Sequence, residues 1–138
     1  MEGLTDLSPI TPFVAAYLVL LGLMVGSFIN LAADRLPRGE SVIRPRSHCR
    51  ACGRELNVVD LVPVLGYFLR GGRCATCKTP IGVTAPIVEA VSGGCMLAAL
   101  AWFGIWPGAI VGMALVALWG VAVVGFAAWR REVPRKAG

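Results

Sequence analysis

Three apolar runs dominate this chain, Pro12 to Ala33, Ala85 to Trp106 and Gly108 to Trp129. Each is about 20 residues long, enough for an α-helix rising about 1.5 Å per residue to cross a hydrocarbon core of about 30 Å. The pattern predicts an all-α integral membrane protein with three transmembrane helices, at 12–33, 85–106 and 108–129. Around them it places an outer N-terminal segment at 1–11, a polar loop at 34–84 and a basic tail at 130–138. Pro12 suits the first helical turn, where its missing N–H would have no partner. Pro37 ends the first helix at the membrane surface, and Trp106-Pro107-Gly108 reads as the turn between the second and third.

Composition sharpens this picture. With 57% hydrophobic and 15% charged residues, the chain lies well outside the range of soluble domains, which carry about 25% charged residues. The first run does not read as a cleavable signal, because Glu2 and Asp6 precede it and no Lys or Arg does. It reads as a retained anchor.

A net charge of +5 and a pI near 9.3 would suit a nucleic-acid partner, but the placement of the charge gives another reason for it. All 13 basic residues lie in the central loop, from Arg35 to Lys78, or in the tail, from Arg130 to Lys136. The positive-inside bias then puts the loop and the C-terminus in the cytoplasm, with the N-terminus and the short turn outside. The loop also lacks the interleaved aromatics of a nucleic-acid platform. The expected surroundings are membrane lipid, with no nucleic acid.

Two Cys-x-x-Cys pairs, Cys49/Cys52 and Cys74/Cys77, stand in that loop with 21 residues between them. Their sequences echo each other 25 positions apart, each with an aliphatic residue, Leu56 or Ile81, four positions after the second cysteine. In a reducing compartment disulfides are rare, so the default reading is a structural four-thiolate Zn2+ site. A redox-active dithiol and unliganded thiols are the alternatives. His48 reads as a loop histidine in water, since four thiolates fill a tetrahedron, and Cys95 as a small buried apolar residue in the second span. Between the pairs, Val58, Val59, Leu61, Val62, Val64, Leu65, Tyr67, Phe68 and Leu69 are expected to form a small core. A loop of some fifty residues cannot stabilise itself on so little apolar area; metal and packing against the membrane face would supply the rest.

A few polar or small residues interrupt the spans. Gly22 and Gly26 permit close approach of another helix without naming it. Ser27 and Asn30, one turn apart, either pack against a neighbouring helix or line a groove. Glu89, near the cytoplasmic end of the second span, is either a helix-end carboxylate paired with a loop Arg or a functional group beside the loop.

The ordered series Gly26-Ser27-Phe28-Ile29-Asn30, Arg35-Leu36-Pro37, Cys-x-x-Cys, Asp60-x-x-Pro63-Val64-Leu65-Gly66-Tyr67, Arg70-Gly71-Gly72-Arg73-Cys74-x-x-Cys77 and Pro86-Ile87-Val88-Glu89 resembles the N-terminal module of the type IV prepilin peptidases. The resemblance runs from about residue 12 to residue 104. It implies a multi-pass protein of the bacterial inner membrane and a pilin-like precursor as partner. It also implies S-adenosylmethionine as methyl donor, zinc on Cys49, Cys52, Cys74 and Cys77, and a methyl-transfer region around Gly26, Asn30, Asp60, Arg70, Arg73 and Glu89. The chain departs from the family pattern at Leu61, where Asn often follows the aspartate, at Thr84-Ala85 before Pro86, and at Asp34.

Peptidase chemistry in that family needs two membrane-embedded aspartates, one in a Gly-x-Gly-Asp motif. The sequence contains no such motif, and its aspartates are Asp6, Asp34 and Asp60. These residues alone are therefore not expected to cleave peptides, and the resemblance implies a separate aspartyl peptidase subunit. Methyl transfer needs a neutral amine held in line with the donor methyl, for which Glu89 and Asp60 are the candidate catalytic carboxylates. Two functional expectations follow. One is a methylation module acting on pilin-like N-termini; the other is a non-catalytic, zinc-stapled subunit that binds pilin leaders or completes a split peptidase.

Overall fold

The computed structural model describes residues 10–136, with side chains through Glu132. Helix α1 spans Thr11–Arg35 and runs into a single 3-10 turn, Leu36–Arg38. The loop that follows holds two short helices, α2 at Val58–Leu61 and α3 at Leu65–Leu69, and the chain returns through α4, Thr84–Phe103, and α5, Ile105–Lys136. No strand forms among the described residues; isolated bridges pair His48 with Glu55 and Arg73 with Pro80. Helices α1, α4 and α5 are long and apolar enough to cross a membrane.

These three helices pack on one another through small residues. A Cβ on Gly22 would stand 3.0 Å from Met96 Cβ, and one on Gly26 would stand 2.8 Å from Glu89 Cα, so α1 lies directly against α4. On the other side, Gly108 of α5 meets the α4 backbone at Ala99 and Leu100, and Gly112 meets Met96. Gly120 accepts Ile29 of α1. Apolar helices gain little from hydrophobic burial in lipid, and close backbone approach with dense dispersion contact is what associates them. The enclosed residues are Ser92, Met96, Leu100 and Val116, all fully buried. Ser92 returns its hydroxyl to the Val88 carbonyl at 2.8 Å, which satisfies that fully buried side chain within its own helix.

Two expectations need correction. The break between the second and third spans falls at Gly104, whose φ of 79° requires a residue without Cβ. Trp106-Pro107-Gly108 is already the first turn of α5, and the Gly108 N–H donates to the Gly104 carbonyl at 3.0 Å. Pro107 fits there for the same reason that it had suggested a turn, since its missing N–H falls among the unpaired donors of a helix start. The second correction concerns the apolar residues between the knuckles. Val58, Leu65, Phe68 and Leu69 are exposed rather than gathered in a core, because α2 turns Asp60 inward and α3 turns Gly66 and Tyr67 inward.

Candidate metal centre and membrane-face cavity

The two Cys-x-x-Cys segments fold as copies of one another. In the first, the Cys49 N–H donates to the Arg54 carbonyl at 2.8 Å and the Gly53 N–H donates back to the Cys49 carbonyl at 2.8 Å. In the second, the Cys74 N–H donates to Thr79 at 2.9 Å and the Lys78 N–H to Cys74 at 3.2 Å. Two residues further out on each side, Leu56 donates to Ser47 at 2.8 Å and Ile81 to Gly72 at 2.7 Å. Every partner is shifted by the 25 positions of the sequence echo. Both turns require a left-handed residue, Gly53 at φ 72° and Lys78 at φ 59°.

The paired turns aim four sulfurs at one point. Cys49 and Cys77 Sγ are 3.7 Å apart, Cys52 and Cys74 Sγ 4.0 Å apart, and all four lie within 4.8 Å of one another. A tetrahedral thiolate site with metal–sulfur bonds of about 2.3 Å needs sulfur separations of roughly 3.8 Å. The cluster therefore fits a metal ion. The Thr79 hydroxyl, 3.2 Å from Cys77 Sγ, together with the Thr79 backbone brings that thiol down to about 6. At Cys52 the contact with the Arg54 backbone lowers the value, but desolvation and the three neighbouring sulfurs outweigh it and push the thiol up to about 11. Crowded thiols resist losing every proton unless a cation replaces them.

Arginines join this cluster to the helices. Arg50, inside the first knuckle, binds Asp34 at the end of α1 through Nε at 3.0 Å and Nη2 at 2.6 Å, and reaches Glu40 at 2.9 Å. The Glu40 carboxyl is held below its ordinary value, chiefly by that bond to Arg50. Arg54, two residues past Cys52, donates to Asp60 at 2.7 Å, and Arg70 Nε donates to the other oxygen of Asp60 at 2.6 Å. Asp60 also accepts the Asn57 N–H at 3.0 Å, while Asn57 Oδ1 accepts the Asp60 N–H, a reciprocal cap at the start of α2. Burial raises the Asp60 pKa, yet the Asn57 N–H, Arg70 and Arg54 prevail and hold it below the ordinary carboxylate range. Arg35 is buried with no carboxylate partner among the described residues; it donates to the carbonyls of Ser41, Pro45 and Arg46 and folds the chain leaving α1 back onto the helix end.

Glu89 is 8% exposed, and its Oε2 accepts the Val64 backbone N–H at 2.6 Å. Val64 has φ 60° and ψ −54°, and the Leu65 N–H bonds to the Pro63 carbonyl at 2.6 Å. This is a classic γ-turn, rare and strained for a β-branched residue. Among the described residues Glu89 takes part in no ion pair; its partner is a backbone amide, where sequence reasoning offered an arginine.

A cavity of about 670 Å3 opens between the knuckles, α2–α3 and the membrane-face ends of α1 and α4. Asn30, Asp60, Arg70 and Glu89 line it, as do Ser27 and Asp34. Of the six residues that the resemblance assigned to a methyl-transfer region, Asn30, Asp60, Arg70 and Glu89 come together here. Gly26 instead lies in the contact between α1 and α4. Arg73 is exposed and contributes its backbone to the bridge with Pro80. Sequence reasoning missed Arg35, Arg50 and Arg54 as organisers. The available signal was their position, since Arg50 and Arg54 lie within or two residues beyond a cysteine pair and Arg35 is the last residue of a span.

The profile of the bacterial peptidase A24 N-terminal domain matches residues 20–103. The chain is 41% identical over 93 residues to a prepilin leader peptidase/N-methyltransferase of Myxococcus xanthus, covering 67% of this chain and 28% of that protein. It is 38% identical over 114 residues to the protein of the same name from Burkholderia pseudomallei, covering 64% and 37%, and 38% identical over 88 residues to that of Bacillus subtilis, covering 64% and 36%. The chain thus spans well under half the length of these relatives. No solved structure matches. The matched segment contains the four-sulfur loop and Glu89, and the chain belongs to the family of bacterial peptidase A24 N-terminal domains.

Proposed function

We propose that this chain is the methylation-associated module of a prepilin-processing system, which holds the N-terminal end of a pilin-like precursor at the cytoplasmic face of the bacterial inner membrane. The observation that carries this reading is the convergence of Asn30, Asp60, Arg70 and Glu89 on one cavity of about 670 Å3, within the usual range of about 300–1,000 Å3 for small-molecule sites. Zinc held by Cys49, Cys52, Cys74 and Cys77 would have a filled tetrahedron and a structural role. S-adenosylmethionine, when bound, supplies an electrophilic methyl group on a cationic sulfonium. Asp34 and Asp60 are already paired with arginines, so Glu89 is the lining carboxylate left, among the described residues, to receive a cation such as the substrate ammonium. Glu89 accepts the amine proton, its orientation fixed by Val64. Asp60 is saturated by two guanidiniums and an amide, so it positions Arg54 and Arg70. The aspartates of the peptidase step come from outside these residues. The basic loop and tail support the cytoplasmic orientation, with the N-terminus outside.

That saturation of Asp60 also favours a second reading, a non-catalytic metal-stapled subunit that binds the leader or completes a peptidase supplied by another polypeptide. Co-expression with a pilin precursor and a prepilin peptidase unable to methylate separates the two. Mature pilin carrying the mass of one added methyl group supports the methylation module. Cleaved but unmethylated pilin, with this chain present at normal levels, overturns it.

A further inference from the structure

The polarity of α2 and α3 is reversed relative to that of a water-exposed surface. Leu65, Phe68 and Leu69, at the i, i+3, i+4 spacing of one helix face, are 60%, 67% and 69% exposed. Val58 and Leu61 continue the same outward apolar character on α2. Turned the other way is Asp60, whose side chain is 5% exposed and clamped by Arg54 and Arg70. A water-facing loop would show the opposite arrangement.

The height of this segment is fixed by Glu89. Helix α4 has 20 residues, a length of about 30 Å that matches the hydrocarbon core. Glu89 lies five residues in from Thr84, about 7–8 Å along the axis, and a helical side chain leans back toward the N-terminus. Its carboxylate, and with it the Val64 amide 2.6 Å away, therefore stands close to the hydrocarbon boundary. Val64 joins α2 to α3, so both short helices are held at that level. Their outward faces then continue the lipid-facing surface of the spans, where Phe28 and Ile87 are likewise exposed. Arg73, exposed just beyond α3, supplies a basic side chain at the edge of the segment, as helices lying in the headgroup region carry.

We infer that α2 and α3 lie in the membrane interface, with Leu65, Phe68 and Leu69 inserted among the lipid chains of the cytoplasmic leaflet and Asp60 facing the protein. The loop thus roofs the cavity from within the interface, and the cavity is bounded on that side by lipid instead of water. This inference stands whether or not the chain takes part in methyl transfer.

The test uses the full chain labelled with 4-fluorophenylalanine, in nanodiscs of phosphatidylethanolamine and phosphatidylglycerol. The Phe68 fluorine signal is assigned by its loss in Phe68→Leu, with unchanged metal content confirming that this variant folds. A doxyl-labelled lipid should broaden the Phe68 signal at least about threefold more than a water-soluble gadolinium chelate does, as for Phe28 in α1. Broadening by the chelate alone would place Phe68 in water and overturn the inference. Protection from both reagents would mean that a protein surface covers the segment, and would overturn it equally.

Discussion

The Glu89 carboxylate and the Val64 amide meet at 2.6 Å across a separation of 25 residues, and this contact ties the loop to the second span. It also holds Val64 at a positive φ that an isolated valine avoids.

Glu89→Gln keeps an acceptor oxygen for Val64 and removes the negative charge. Thermal unfolding in nanodiscs should change little, while methylation of a pilin precursor, read by mass, should be lost. Glu89→Ala should lose both, with a destabilisation of about 1–3 kcal/mol from the unpaired buried amide. Unchanged methylation in the glutamine variant would remove Glu89 from the chemistry.

Asp60 predicts an acid limb to stability. Its folded pKa is lowered from the ordinary 3.8, so the native state binds this proton less readily than the unfolded chain does. The stability it contributes is fully present above about pH 4 to 5 and is lost as pH falls through the folded value. Asp60→Asn should flatten that limb and lower stability near neutral pH by about 2 kcal/mol, because two guanidiniums lose their charged partner. Denaturant melts at several pH values on both proteins would show it.

The duplicated knuckles differ at their left-handed positions, and the two should respond oppositely. Lys78→Gly relieves a φ of 59° and should stabilise the loop by about 0.5 kcal/mol after the entropy cost of glycine. Gly53→Ala has open space for its Cβ, so the loss of about 1 kcal/mol would come from the backbone alone. Chelator-driven metal release would report both changes.

The spans should be sensitive at Gly26 and tolerant at Gly94. A Cβ on Gly26 would lie 2.7 Å from Ser92 Oγ and 2.8 Å from Glu89 Cα, whereas one on Gly94 meets nothing within 4 Å. Gly26→Ala should cost about 1–3 kcal/mol by forcing α1 from α4, and Gly94→Ala should stay within about 0.5 kcal/mol of the parent. Unfolding in bicelles would rank the two.

Metal content separates the cysteines. Cys49→Ser should abolish stoichiometric metal, measured by elemental analysis, and should expose the knuckles to proteolysis, as chelation of the parent would. Cys95→Ser, in α4 and away from the cluster, should retain the full metal complement.

Much of this was legible in the sequence because the relevant forces are local. Twenty apolar residues specify a span regardless of neighbours, and the echo from Cys49 to Leu56 and Cys74 to Ile81 announced two similar turns. Gly22 and Gly26 foretold a close helix contact, but the identity of α4 as partner depended on Ser92 and Met96 lying opposite. The break at Gly104 was missed because Pro107 is compatible both with a turn and with a helix start. The outward Leu65, Phe68 and Leu69 were taken for a core because apolar clustering in a polar loop implies burial in water, and the competing solvent here is lipid. The arginine partners of Asp60 and the amide partner of Glu89 lie 6 to 25 residues away, and no local pattern encodes such pairings.

Arg35, Asp34 and Glu89 belong to the spans, yet between them they hold the carbonyls of Ser41 and Pro45, the guanidinium of Arg50 and the amide of Val64. Excised between residues 39 and 83, the loop would keep its four thiols and the Asp60 clamp but lose all three of these attachments. The cysteine segment is consequently not a portable domain. Grafted onto another anchor it could still capture a metal ion, while the segment around Val64 would lack the carboxylate that gives it shape.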